Sequence, residues 1–434
     1  MSSRWNRRAA VLLAVVPLAL LAASSSSSGA TRSTRAVSGS ITFDGVWTGA
    51  EAKAFQAVID AFEKANPGVK VNYKPVGDNL PTVVSTAVAG GRPPDMADIA
   101  QPGLIKQFAD QGKLKPITYA QSSMTANFAP SWIKLGTFDG KFYGVVFKAS
   151  NKSTVWYNVG AFKTAGVTPP TTWPDFVKDA GTLSASGTPP YSIGGADGWT
   201  LTDLFENIYL RQAGAAKYNA LTTHSIKWTD PSVTTALKTM AQVFKSSNMA
   251  GGTSGAVQTD FPTSVNNVFQ SPPKAAIVIE GDFVPGVQTV NAKAVTGYNE
   301  FPFPSINGSG PAVEIGGDTI VTFKDDPAVE TFVTYLTTAD AAKAWASRGG
   351  FATGNKNMPA SVYPDAITKK TASAIAQAKN VVFDMSDQQP GSFGATVGQG
   401  EWGLFQDFLR NPSDVAGIQK KLEAAATAAY KKGK

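Results

Sequence analysis

The stretch "ITFDGVWTGAEAKAFQAVIDAFEKANPGVKVNYKP", residues 41–75, changes its hydrophobic period twice, and those changes decide the fold. Residues 41–47 read as a strand. Phe55, Val58, Ile59 and Phe62 then fall at i, i+3, i+4 and i+7, one face of a helix. Asn66-Pro67-Gly68 stops that helix, and "VKVNYKP" alternates again as a strand. The pattern continues outward. "LPTVVSTAVAGG" (80–91) reads as a helix closed by glycines and "DMADIA" (95–100) as a third strand. "GLIKQFADQGKLKPI" (103–117) reads as a helix and a further strand. Strands alternating with helices predict a largely parallel sheet in an α/β layer.

"FDGKFYGVVF" (138–147) interrupts the alternation with an Asp-Gly hairpin turn. A second α/β unit starts near "STVWYNVGAFKTAGV". Thr172 with Asp175, and Thr200 with Asp203, have capping-box spacing and predict helix starts. Asp230-Pro231 opens another helix, "KAAIVIEGDFV" (274–284) is an apolar strand ending in acids, and "DTIVTF" is a strand. Two helices close the chain. No internal repeat is present.

Arg4, Arg7 and Arg8 precede an apolar run, Ala9 to Ala23, within signal-peptide range and short of the ~20 residues that span a bilayer. Residues 24–39, rich in Ser, Gly, Thr and Arg, read as a flexible tether. The formal charge of +7 belongs mostly to this leader, since Arg4, Arg7, Arg8, Arg32 and Arg35 lie in residues 1–36 with no acid among them. The remainder is nearly neutral, which argues against a nucleic-acid partner. No cysteine occurs, so disulfides, thiolate chemistry and Cys-ligated zinc are excluded.

The single histidine, His224, a loop residue, leaves no Ser-His arrangement, and no G-x-S-x-G elbow or P-loop is present. "GQGEWG" (398–403) matches a dinucleotide fingerprint but lacks the strand and βα unit that would make it one. No cofactor and no metal are expected. Glu280 with Asp282, and Asp384 with Asp387, are spaced as candidate carboxylate pairs. They could serve a secreted glycoside-active enzyme, accept hydrogen bonds from sugar hydroxyls, or cap helices. The aromatics point to binding. Trp47, Trp199 and Trp402 fall in loops at helix starts, and Trp47, Gln101 and Glu280 follow strands, where the ligand crevice of an open α/β sheet lies. An indole face suits the C–H side of a pyranose, and carboxylates and amides suit its hydroxyls.

Several segments together resemble the extracytoplasmic solute-binding proteins of carbohydrate ABC importers, the maltose-binding-protein-like group. They are "GAEAKAFQAVIDAFEKANPGVKV", "GGRPPDMADIAQPG", "GKFYGVVF", "VWYNVGAFKTAGVTPPTTWPDF", "AAIVIEGDFVPG" and "AAKAWASRGGF". "GGADGWTLTDLFENIYL", "GGDT", "NKNM", "FDMSD" and "GQGEW" resemble the α-glucoside type within it. The resemblance implies a two-lobed α/β periplasmic-binding-protein-like fold with a hinge and an interlobe cleft. Residues 40–148 plus 304–346 would form lobe 1, and 149–303 plus 347–434 lobe 2. It implies sugar contacts from Trp47 and Glu51 at the first strand-to-helix corner, Gln101 after the third strand, and Asp197 and Trp199 in the second lobe's loop. Glu280 and Asp282 would contribute from the central strand, Gly317 and Asp318 from a returning loop, and Arg348 and Trp402 from later elements, with Asp384 as a further acceptor. The implied partners are a sugar and the ABC permease's transmembrane subunits, with the receptor an exported monomer at the cell surface. Binding a peptide or polyamine is the third reading. Ser24 stands where Gram-positive relatives carry a lipidated cysteine. As written, the chain takes no thioether lipid and would be released by cleavage after Ala23 or Ala30, unless the serine replaces an original cysteine.

Overall fold

The computed structural model describes residues 37–287, 297–377 and 381–432. The leader, most of the tether and Ser24 lie outside the described residues. Strands β1 (Gly39–Gly45), β2 (Val69–Pro75) and β3 (Met96–Ile99) run parallel, with β1 between the other two. The helix Gly49–Ala65 joins β1 to β2 and buries Phe55, Val58, Ile59 and Phe62, the face that the spacing predicts. The hairpin β4 (Thr137–Phe138) and β5 (Lys141–Phe142) turns through Asp139 and Gly140, both at positive φ. Lys113 to Ile117 form no strand.

Two long strands carry the chain between lobes. β6 (Gly144–Asn151) pairs antiparallel with β10 (Val313–Thr322), which also runs antiparallel to β3 and parallel to β11 (Val381–Phe383). Only Lys152 and Ser153 separate β6 from β7 (Thr154–Asn158), the centre of a second sheet flanked by β8 (Ile277–Ile279) and β9 (Tyr298–Pro302). The first sheet is therefore mixed and the second wholly antiparallel, against the expectation of a largely parallel fold. The reason is connectivity: β10 returns from the second lobe and must run against β3 and β6.

Side-chain alternation builds a core on each face of each sheet. Ile41 and Phe43 join Phe55, Phe62 and Trp345 on one face of the first sheet, while Ala97 and Ile99 meet Leu104 and Phe108 on the other. In β7, Val155 and Tyr157 face one core and Trp156 the other. Each fully buried Phe or Leu contributes roughly 1.5–3 kcal/mol. Among the described residues no helix is long and apolar enough to cross a membrane.

Candidate functional site

The carboxyl ends of β1, β2 and β3 open together onto a cavity of about 260 Å³, and the opposite wall comes from the second lobe. The first lobe supplies Trp47 and Glu51 after β1, Gly77 and Asp78 after β2, and Ala100 and Gln101 after β3. The second lobe supplies Trp199, Phe261, Asn266, Phe283, Asp387 and Trp402, and β6 and β10 run beneath with Lys148, Ser150, Gly317 and Asp318.

The first-lobe wall is held by charge. Lys148 is buried and bonds Glu51 Oε1 at 2.7 Å, with Asp318 Oδ2 at 3.7 Å. Burial works against its charge, yet Glu51 and Asp318 outweigh burial and leave the ammonium raised above its ordinary pKa. Asp318 also accepts from Trp47 Nε1 at 2.7 Å, which fixes the indole among Phe55, Phe147 and Trp345. Trp47 is thus a core residue with one edge on the cavity.

The second-lobe wall is aromatic. Trp199 meets Phe261 edge-on at 5.2 Å and Phe283 at 6.0 Å, and those two rings meet at 5.4 Å. Trp402 lies in the first turn of the helix Gly400–Arg410, 2% exposed, with its Nε1 unpartnered. Asn266 Oδ1 is likewise buried and unpartnered. Under Trp199 sits Lys152, its ammonium 3.0 Å from Asp203 Oδ1, 2.5 Å from Asp384 Oδ2 and 3.9 Å from Asp387 Oδ2, and 5.6 Å from the indole centroid. Burial opposes this charge too, but Asp203 and Asp384 raise the ammonium well above its usual range. Asp203, Glu314 and Asp384 bring oxygens within 4.8 Å of one another, and with Lys152 bonded to two of them the cation at this cluster is the protein's own.

Seven of the twelve expected residues line the cavity: Trp47, Glu51, Gln101, Trp199, Gly317, Asp318 and Trp402. Five do not. Asp197 accepts from the Phe261 backbone N–H at 2.6 Å and so holds the wall from behind. Glu280 faces a water-sized void between Tyr191, Thr200 and Ile277, and Asp282 is buried beside the Asn151 carbonyl, to which its backbone N–H donates at 3.0 Å. Arg348 is exposed and donates to the Ala344 carbonyl in the last turn of the preceding helix. Asp384 caps the short helix Met385–Gln388 through the Asp387 N–H, besides pairing with Lys152. Of the two carboxylate pairs, only Asp387 reaches the cavity.

Two local readings are corrected. Thr200 is not an N-cap: the helix starts at Trp199 after Gly198, and Thr200 Oγ1 donates to the Gly194 carbonyl at 2.7 Å. Gly317 and Asp318 lie within β10, not in a loop, because glycine lets β6 approach. A Cβ on Gly317 would stand 2.7 Å from Val146 Cγ1. Sequence reasoning passed over Lys148 and Lys152 as site residues, since each sits in a strand or at its end and only the fold brings carboxylates around it. Asp78, Phe261 and Phe283 carried no local signal.

A cavity walled by two lobes, beneath which two antiparallel strands cross from lobe to lobe, defines a two-lobed ligand-binding protein. The chain belongs to the bacterial extracellular solute-binding protein family, whose model matches residues 47–343. It is 32% identical over 362 residues to the osmoprotective compounds-binding protein GgtB of Synechocystis sp., covering 82% of this chain and 85% of that one. It is 31% identical over 401 residues to the alpha-glucosides-binding periplasmic protein AglE of Rhizobium meliloti, covering 88% and 86%. Among solved structures, the bacterial solute receptor AcbH, described with an exclusive preference for β-D-galactopyranose, superposes with a TM-score of 0.80 at 22% identity. That match covers 90% of this chain and 99% of the receptor.

Proposed function

We propose that the chain is the substrate-binding component of an ABC importer, taking a sugar or short oligosaccharide of the α-glucoside kind in the interlobe cavity and delivering it to the permease. The observation that carries this is the cavity wall itself. Trp199 and Trp402 stand there beside Glu51, Asp78, Gln101 and Asp387, which offers apolar faces for sugar rings and acceptors for hydroxyls. The name of AglE supports the α-glucoside class. The cavity volume, about 260 Å³, lies just below the usual small-molecule range of roughly 300–1,000 Å³ and favours one or two sugar rings. Of the expected contacts, Trp47, Glu51, Gln101, Trp199, Gly317, Asp318 and Trp402 are carried forward. The lobes hinge at β6, β10 and the segment after Ala346, and close on the ligand because the closed form alone touches it from both sides.

The role is binding without turnover: Glu51 and Asp318 are committed to Lys148, and Asp387 has Lys152 close by. Among the described lining residues this leaves Asp78 without the second free carboxylate that glycoside hydrolysis uses. The receptor works outside the cell. Calorimetric titration with mono-, di- and trisaccharides tests the reading, with the sugar recovered afterwards by chromatography. Saturable binding and unchanged sugar are expected. Silence across the panel sinks the sugar assignment, and hydrolysed sugar sinks the non-enzymatic one.

A further inference from the structure

The charges on the cavity wall do not balance among the described residues. Among the described lining residues are Glu51, Asp78 and Asp318, with Asp387, whose carboxyl burial and then Asp384 hold well above the usual range, against two ammonium groups, Lys148 and Lys152, and no arginine. Both lysines are already engaged: Lys148 by Glu51 and Asp318, Lys152 by Asp203 and Asp384 with Asp387 near. Neither holds charge in reserve for an anionic ligand.

Asp78 is the unbalanced group. It lies in the short 3-10 turn after β2, partly exposed on the cavity, and among the described residues no lysine or arginine pairs with it. Among the described residues, the charged groups that act on it, Glu51 of its own lobe and Asp260 and Asp197 of the other, are acids. Burial, with this repulsion added, pushes the Asp78 carboxyl up to about 6 against the Trp199 indole, which favours the charged form. Three other wall groups lack partners, the indole N–H of Trp199 needing an acceptor as that of Trp402 does. Trp402 Nε1, on a side chain 2% exposed, needs an acceptor, and Asn266 Oδ1 needs a donor. A hydroxyl serves both, and an amine serves Asp78 and Asn266 as well.

We infer that the cleft selects its sugar by charge, accepting neutral and amine-bearing sugars and rejecting uronates and sugar phosphates, with Asp78 the residue that sets the discrimination. This rests on the sugar reading above. An anionic substituent would face an excess of carboxylate in a partly desolvated cavity, where like charges repel most strongly. A protonated amine beside Asp78 would relieve the repulsion between Asp78 on one lobe and Asp197 and Asp260 on the other.

The test is calorimetric titration of the intact chain at neutral pH with maltose and trehalose. Each is compared with derivatives in which one hydroxymethyl group is aminomethyl or carboxylate. The carboxylate derivatives should bind at least about tenfold more weakly than their parents, and the amine derivatives as tightly or more tightly. Asp78→Asn should narrow the amine-to-carboxylate ratio, with melting curves checking that the variant is folded. The ratio on the unaltered chain stands without the variant. A carboxylate derivative that binds as tightly as a binding parent overturns the charge selection alone. Failure of both neutral parents and both amine derivatives to bind overturns it together with the sugar reading.

Discussion

Gly198 and Trp402 touch backbone to side chain across the second lobe: a Cβ on Gly198 would stand 2.7 Å from the Cβ of Trp402, and Gly198 holds φ +85°. The turn before Trp199 and the placement of Trp402 are therefore one constraint, because only glycine allows both the left-handed backbone and the close approach. Gly198→Ala should cost roughly 1–3 kcal/mol of stability, from overpacking and backbone strain. It should also weaken sugar binding by shifting one or both indoles. Thermal melting with titration measures both, and an unperturbed variant would contradict the coupling.

Lys152 ties the crossing segment to the second lobe through Asp203 and Asp384. Lys152→Met would leave those carboxylates buried without their cation. Breaking a buried pair from one side typically costs about 3–5 kcal/mol. The urea midpoint should fall accordingly at neutral pH. A midpoint equal to that of the unaltered chain would mean the ammonium contributes little.

Acid should stabilise this protein where it weakens many others. Burial pushes Asp197 and Asp282 up to about 7, above their unfolded values. The folded state then binds these protons more tightly. The contribution is fully present below the unfolded pKa of about 4 and is lost as pH rises through the folded value. Melting temperature should therefore rise as pH drops from about 8 towards 5. Asp197→Asn, which keeps an acceptor for the Phe261 N–H, should flatten that rise. A melting temperature that falls steadily across this window in the unaltered chain would contradict the assignment.

Much of the fold was legible because local periodicity and core placement agree here. The helix Gly49–Ala65 buries the four residues its spacing selects, and the Asp139-Gly140 turn closes the expected hairpin. Strand direction was not legible, since whether β10 runs with or against β3 depends on a return from another lobe. Trp199 and Trp402, singled out in glycine-rich loops at helix starts, line the cavity, although Trp402 is almost wholly buried. Glu280 and Asp282 lie beyond the end of β8, at Ile279, and do not line the cavity. Glu280 faces a void behind the wall and Asp282 is buried within the second lobe. The partnership of Lys148 with Glu51 spans 97 residues of chain, too far for any local pattern to reveal.

Trp199 carries the central claim, that the interlobe cavity is where sugar binds. Its ring is partly exposed on the cavity and packs edge-on against Phe261 and Phe283, outside the main core of its lobe. Truncating a stacking anchor typically costs ~2 kcal/mol or more, about thirtyfold in affinity, whereas truncating a core tryptophan costs roughly 3–5 kcal/mol of stability. Calorimetric titration of Trp199→Ala with a disaccharide that binds the unaltered chain, alongside its melting curve, separates the two. An affinity loss near thirtyfold with the melting temperature almost unchanged is expected. Retained affinity with a large drop in melting temperature would contradict it.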